Sequence, residues 1–138
     1  MNREITTHKV NSANDTLTIV AIDEPGAGGA NHHYLVMLPS HVEQWRTDQA
    51  TYGDAEQPVA NLCSIRFQNG PIPSNGVNGV TQEVLLAIVQ DRLESFQAGK
   101  FPSEENSKAL AAVKEAQHWL QFRTLKRMAR GVEGTHQK

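Results

Sequence analysis

Hydrophobic residues follow two different rhythms along this chain, and the change comes near residue 80. Asp15-Thr-Leu-Thr-Ile-Val-Ala-Ile22 is β-branched and apolar and predicts a strand. Glu24-Pro-Gly-Ala-Gly-Gly29 breaks it, and His33-Tyr-Leu-Val-Met-Leu38 resumes as a second strand. The pair predicts an antiparallel hairpin with a long loop. Leu62-Cys-Ser-Ile-Arg-Phe67 alternates, with Cys63, Ile65 and Phe67 on one face and Ser64 and Arg66 on the other. Residues 3–10 predict a further N-terminal strand. Residues 39–60 are polar and show no period beyond a helical turn over Val42 to Trp45.

Residues 68–79 contain Pro71 and Pro73, which cannot donate ladder hydrogen bonds, and three Asn-Gly steps that permit positive φ. They predict an extended connector. Two helices follow. Thr81 caps the first, whose Leu85, Ile88, Val89, Leu93 and Phe96 recur at helical spacing, and Gly99 ends it. Ser103 caps the second, with Glu104 and Glu105 at its positive end. Its stripe is Ala109, Val113, Ala116 and Leu120. So short a loop predicts an antiparallel pair. A two-helix hairpin buries little by itself, so each stripe needs a sheet or another subunit to cover it.

The fold class expected is therefore α+β: an N-terminal antiparallel β-sheet followed by a C-terminal two-helix hairpin. Residues 1–79 form the sheet region with its connector, and residues 80–138 the hairpin and tail. The 138 residues suffice for one core. Mean hydropathy of -0.49 and the lack of a long apolar run argue against a membrane span. Met1-Asn2-Arg3-Glu4 carries no apolar leader segment. Thirteen basic against fifteen acidic residues leave a charge of -2, which excludes bulk nucleic-acid coating and still allows a small anion in a local basic pocket. The single Cys63 excludes a disulfide framework. It lies inside an alternating strand and is expected to be a buried, inert core thiol.

The end of the second helix carries the most informative chemistry. At about 100° per residue, Arg123 and Arg127 continue the stripe of Val113, Ala116 and Leu120. Like charges four residues apart repel unless an anion lies between them, and guanidinium forks match a phosphate. The same residues also complement the negative end of the helix dipole, so the helix alone supports either reading. Phe67, followed by Gln68 and Asn69, suits base stacking with amides reading the edge, or a core Phe leaving the sheet. Gly26-Ala-Gly-Gly29 reads as a hairpin loop, because neither a dinucleotide nor a P-loop pattern is complete. His32, His33 and His41 lack a carboxylate or Cys to complete a metal set, and a surface role is expected. His118 and Trp119 read as packing residues. No nucleophile with a base stands out, and no metal or cofactor is expected.

Phe67-Gln-Asn-Gly-Pro-Ile72, Gly76-Val-Asn-Gly-Val-Thr81, a helix ending in Phe96-Gln, and Ala129-Arg-Gly-Val-Glu-Gly134 together resemble the phage Thoeris anti-defence sponge family. The helical hairpin is similar to that of the phage anti-CBASS cyclic-oligonucleotide sponges. The resemblance spans roughly residues 62–134. It implies a phage protein acting in the cytoplasm of the infected bacterium. There a TIR enzyme makes a cyclic ADP-ribose variant (glycocyclic ADP-ribose) as an immune messenger, and the sponge holds it intact. It further implies a homodimer or hexamer with messenger pockets at subunit interfaces. Phe67 would stack the adenine. Asn78 would hydrogen-bond the ligand, with Asn75 and Asn69 as further candidates, and Arg123 and Arg127 would bind the pyrophosphate. Arg130, in Arg130-Gly-Val132, matches a cyclic-trinucleotide site of the anti-CBASS sponges. The competing readings are an enzyme that degrades the messenger and an oligomeric phage accessory protein.

Overall fold

The computed structural model describes residues 3–53 and 59–131. The chain divides into two compact units, Met1–Asn69 and Gly70–Lys138.

The first unit is a four-stranded antiparallel meander in the order β1-β2-β3-β4. Strands β1 (Arg3–Ile5), β2 (Thr18–Ala21), β3 (His33–Met37) and β4 (Cys63–Arg66) fall where β-branched and alternating residues place them. The register sets Val20 opposite Leu35 and Thr18 opposite Met37. Alternation then puts Val20, Leu35 and Met37 on one sheet face. Val42 of helix α1 (Pro39–Tyr52) completes this core, with Ile22 and Val59 packed at its edge. The opposite face carries Ile19, Ala21, Tyr34, Val36, Cys63 and Ile65.

Helix α1 exceeds the single turn expected. Only Val42 of its residues is buried, so the segment carries almost no hydrophobic period to detect. Its start is set by Pro39 in the first turn and by His41, whose Nδ1 accepts from the Leu38 N–H at 3.0 Å. The connector also departs from expectation. Instead of staying extended, it forms one helical turn, α2 (Ile72–Asn75), between Pro71 and Gly76. Proline suits a first turn because its missing N–H has no partner to lose there.

In the second unit, α3 (Gln82–Ala98) and α4 (Glu104–Ala129) pack against each other. Both caps are as expected: Thr81 Oγ1 accepts from Val84 N, and Ser103 Oγ from Asn106 N at 3.0 Å. The more enclosed positions recur every three or four residues. On α3 they include Leu86, Gln90, Leu93 and Gln97. On α4 they include Asn106, Leu110, Val113, Gln117, Leu120, Thr124 and Arg127. Of the stripe expected on α3, Leu85 and Leu93 are partly enclosed, while Ile88, Val89 and Phe96 are exposed. Gln117 donates to Gln90 across the pair. The Gln97 amide closes the interhelical turn twice, donating to Ser103 O and accepting from Ser103 N, both at 3.0 Å. Among the described residues, no helix is long and apolar enough to cross a membrane.

Replacing Gln97 by Ala removes both bonds to the turn and is expected to cost about 1–3 kcal/mol. Lys108→Ala removes only an exposed ion pair with Glu104 and is expected to cost at most about 0.5 kcal/mol. Thermal unfolding followed by circular dichroism compares the two.

Candidate functional site

In the first unit, the candidate chemistry gathers where β3 begins and β4 ends. Phe67 N–H donates to His32 O at 2.7 Å, which carries the His33–Arg66 register one pair further. Phe67 and His32 are therefore opposite each other and share the face of Tyr34. The Tyr34 and Phe67 rings meet edge to face, 5.7 Å between centroids. Phe67 is half-buried, so part of it remains accessible. Asn69 is exposed, and its Oδ1 accepts from Ala27 N at 3.1 Å, tying the exit of β4 to the β2–β3 loop.

That loop is fixed by Asp23. Its carboxylate accepts from His32 N at 2.8 Å, from His33 N at 3.2 Å and from the Asn31 amide. Burial pushes the Asp23 carboxyl up, but these donors outweigh it and hold the group below the usual carboxylate range. The glycines of 26–29 form a 3-10 turn in this loop, as a hairpin connection requires. A Cβ on Gly26 would stand 2.8 Å from Asn69 Oδ1 and 3.1 Å from His32 Nδ1, so a larger residue there would push the Asn69 amide aside.

The sheet's other face holds a second pair: His33 Nε2 lies 2.9 Å from Ser64 Oγ. Burial, then the neighbouring Arg66, lower the His33 pKa, and Asp23 partly opposes them. His41 is occupied by its helix start. Among the described residues, no three His, Cys, Asp or Glu side chains are grouped to hold a metal ion. Cys63 is exposed, which corrects the expectation of a buried thiol. It sits at the first position of an edge strand, where alternation assigns a face but no neighbour covers it.

In the second unit, Asn75 ends α2 with its amide against Gly70, whose φ of +87° keeps the approach open. Asn78 is exposed just before α3. Arg127 is 7% exposed, while Arg123, one turn earlier, is exposed. Arginine is seldom so enclosed unless its charge is matched. Arg130 is exposed at the end of α4, and Val132 lies outside the described residues. His118 and Trp119 are exposed rather than packed inside. They form, with Phe122, an aromatic row along α4, with Lys126 Nζ 5.5 Å from the Phe122 centroid.

A family model described as Acb2/Tad1, hairpin domain, matches residues 60–124, from the approach to β4 to within α4. The chain is also 36% identical over 115 residues to the protein named Thoeris anti-defense 1 from Bacillus phage SBSphiJ7. That alignment covers 79% of this chain and 81% of that protein.

Because the folded state lowers the Asp23 pKa, its stabilisation is complete above the unfolded value of about 4 and is lost as pH falls through the folded value. Asp23→Asn is expected to lower the melting temperature at pH 7. The gap to wild type is expected to narrow below about pH 4. Melting curves at both pH values check this, and a gap that widens on acidification contradicts it.

Proposed function

The chain belongs to the Thoeris anti-defense 1 family and carries the Acb2/Tad1 hairpin, and from that premise we propose that it is a phage anti-defence sponge. It binds a cyclic ADP-ribose-type messenger, glycocyclic ADP-ribose, and holds it without degrading it. The observation that carries this is the 36% identity across four-fifths of both chains. In this reading Phe67 stacks the adenine, and Asn78 hydrogen-bonds the ligand, with Asn75 supplementing it. Arg123 and Arg127 take the pyrophosphate, and Arg130 offers a site for cyclic trinucleotides. The setting is the cytoplasm of the infected bacterium. Asn69 supports the pocket through the β2–β3 loop, since its carbonyl oxygen is already used on Ala27.

The hairpin's exposed apolar residues support a homo-oligomer, a dimer or a hexamer built from dimers. Ile88 at 56%, Val89 at 43%, Phe96 at 49% and Trp119 at 58% exposure are too apolar to leave in water. A second copy would cover them and dry the binding sites. Dryness matters because a sponge works by affinity alone. Nanomolar binding needs about -12 kcal/mol. One stacked base supplies about 1–3 kcal/mol, and each hydrogen bond to a charged group about 1.5–3 kcal/mol. These reach the goal only when the groups are already held in place, since association itself costs several kcal/mol.

Calorimetric titration with glycocyclic ADP-ribose tests the assignment. Arg123→Ala, Arg127→Lys and Phe67→Ala are each expected to weaken binding about 10- to 100-fold. Unchanged affinity in all three rejects the site. Heating the complex and analysing the supernatant separates a sponge from an enzyme: released intact messenger supports sequestration, and degraded messenger overturns it.

A further inference from the structure

We propose that His32 reads the edge of the base stacked on Phe67 and thereby selects adenine over hypoxanthine. This rests on the reading that Phe67 receives the base of the messenger.

Three observations lead to His32. The first is position. His32 is the residue directly across from Phe67, one hydrogen-bonded pair beyond β3 and β4, on the same sheet face. Residues opposite each other on one face of an antiparallel pair have Cβ atoms roughly 4.5–5.5 Å apart. A base laid on the Phe67 ring is thus within reach of the imidazole.

The second is an unused hydrogen-bonding group. His32 Nδ1 is enclosed and has no hydrogen-bond partner among the described residues. Buried polar atoms are nearly always satisfied, and an exception calls for a reason. Nδ1 is shut in beside Gly26. The other ring nitrogen, Nε2, is neither enclosed nor bonded among the described residues. His33, the next residue, is by contrast engaged with Ser64, and His41 with Leu38.

The third is rigidity. Asp23 holds the His32 backbone N–H at 2.8 Å, Phe67 holds its carbonyl, and Gly26 lies close against the ring. Asn69, on the same small gap at Gly26, is itself tied to Ala27. With both backbone polar groups of His32 held, the side chain starts from one fixed point before any ligand arrives, which favours discrimination.

The chemistry then follows from the base. A neutral imidazole nitrogen is either a donor or an acceptor. The adenine edge offers a donor at the 6-amino group and an acceptor at N1. Hypoxanthine reverses both. Nδ1 is enclosed without a partner among the described residues, where an unpaired N–H is costlier than a bare lone pair. Nε2 therefore carries the proton and donates to adenine N1; hypoxanthine bears a hydrogen there, and the contact becomes a mismatch. Such mismatches leave a polar group unpaired, which is what makes polar sites selective.

The test is calorimetric titration of wild type, His32→Ala and His32→Gln with glycocyclic ADP-ribose and with its hypoxanthine counterpart. Wild type is expected to prefer the adenine form about tenfold. His32→Ala, and likewise His32→Gln, whose amide can turn to offer either a donor or an acceptor, are expected to bring the ratio within about twofold. The ratio of two ligands on one preparation does not depend on how much of the variant is folded. Equal binding of both forms by wild type overturns the proposal, as does a wild-type ratio in His32→Ala. If wild type binds neither form, the assignment of Phe67 falls and this inference falls with it. If His32→Ala binds with the wild-type ratio, only the role of His32 falls.

Discussion

A pair of helices has one seam, and what this chain places there decides the rest. The α3–α4 seam carries amides as well as aliphatics: Gln90 is bonded to Gln117, and Gln97 to the turn. Polar groups at an interface must find their partners in one arrangement, whereas apolar ones tolerate several. The hairpin is thereby fixed in register at the expense of hydrophobic burial. Ile88, Val89 and Phe96 are displaced to the flank and left exposed. Arg127, one further step along the same periodicity, is 7% exposed, so its side chain does not sweep through solvent.

The sheet unit solves a similar problem with one carboxylate. The long loop between β2 and β3 leaves backbone donors unpaired by the ladder, and Asp23 collects two of them along with the Asn31 amide. This locks the first residues of β3 against the start of the loop. The aromatic end at Tyr34 and Phe67 is then a rigid surface, and Asn69 extends the brace to the start of the connector. Asp23 and Gly26 thereby help set where His32 stands, Asp23 through the His32 backbone N–H and Gly26 by leaving room beside the ring.

Much of this was legible in the sequence where a local rule sufficed. The strands followed from β-branching and alternation, and Thr81, Gly99 and Ser103 marked helix ends through side-chain and backbone chemistry confined to one turn. Helix α1 was illegible because it buries a single Val42 and so shows no period. The α2 turn was hidden because Pro71 and Pro73 weigh against ladders without distinguishing a turn from an extended chain. The seam of α3 was misplaced because the eye follows apolar residues, whereas Gln90 and Gln97 occupy two of its layers. Cys63, His118 and Trp119 were misread for a common reason: periodicity tells which side of an element a residue occupies, and only tertiary contacts tell whether that side is covered. Phe67 and the late arginines were visible as residue types, and the family resemblance supplied their roles. Asp23 and His32 were missed. Their significance lies in backbone donors and an unmatched ring nitrogen, for which one-dimensional spacing has no signal.

The arrangement also bears on chemistry. His33 and Ser64, hydrogen-bonded with Asp23 close by, superficially suggest a nucleophile with its base. Asp23, however, accepts from the His33 backbone N–H, not from the ring, so it cannot set the imidazole tautomer as a triad carboxylate does. Ser64 lies within a strand, and its side chain projects from the face opposite Phe67. Cys63 shares the Phe67 face but starts the strand, about 13 Å away at roughly 3.3 Å per residue. A nucleotide stacked on Phe67 would meet the imidazole of His32 and the ring of Tyr34 before any thiol or hydroxyl nucleophile of the sheet. The edge-to-face Tyr34–Phe67 pair and the neighbouring imidazole are groups suited to stacking against and hydrogen-bonding a planar base.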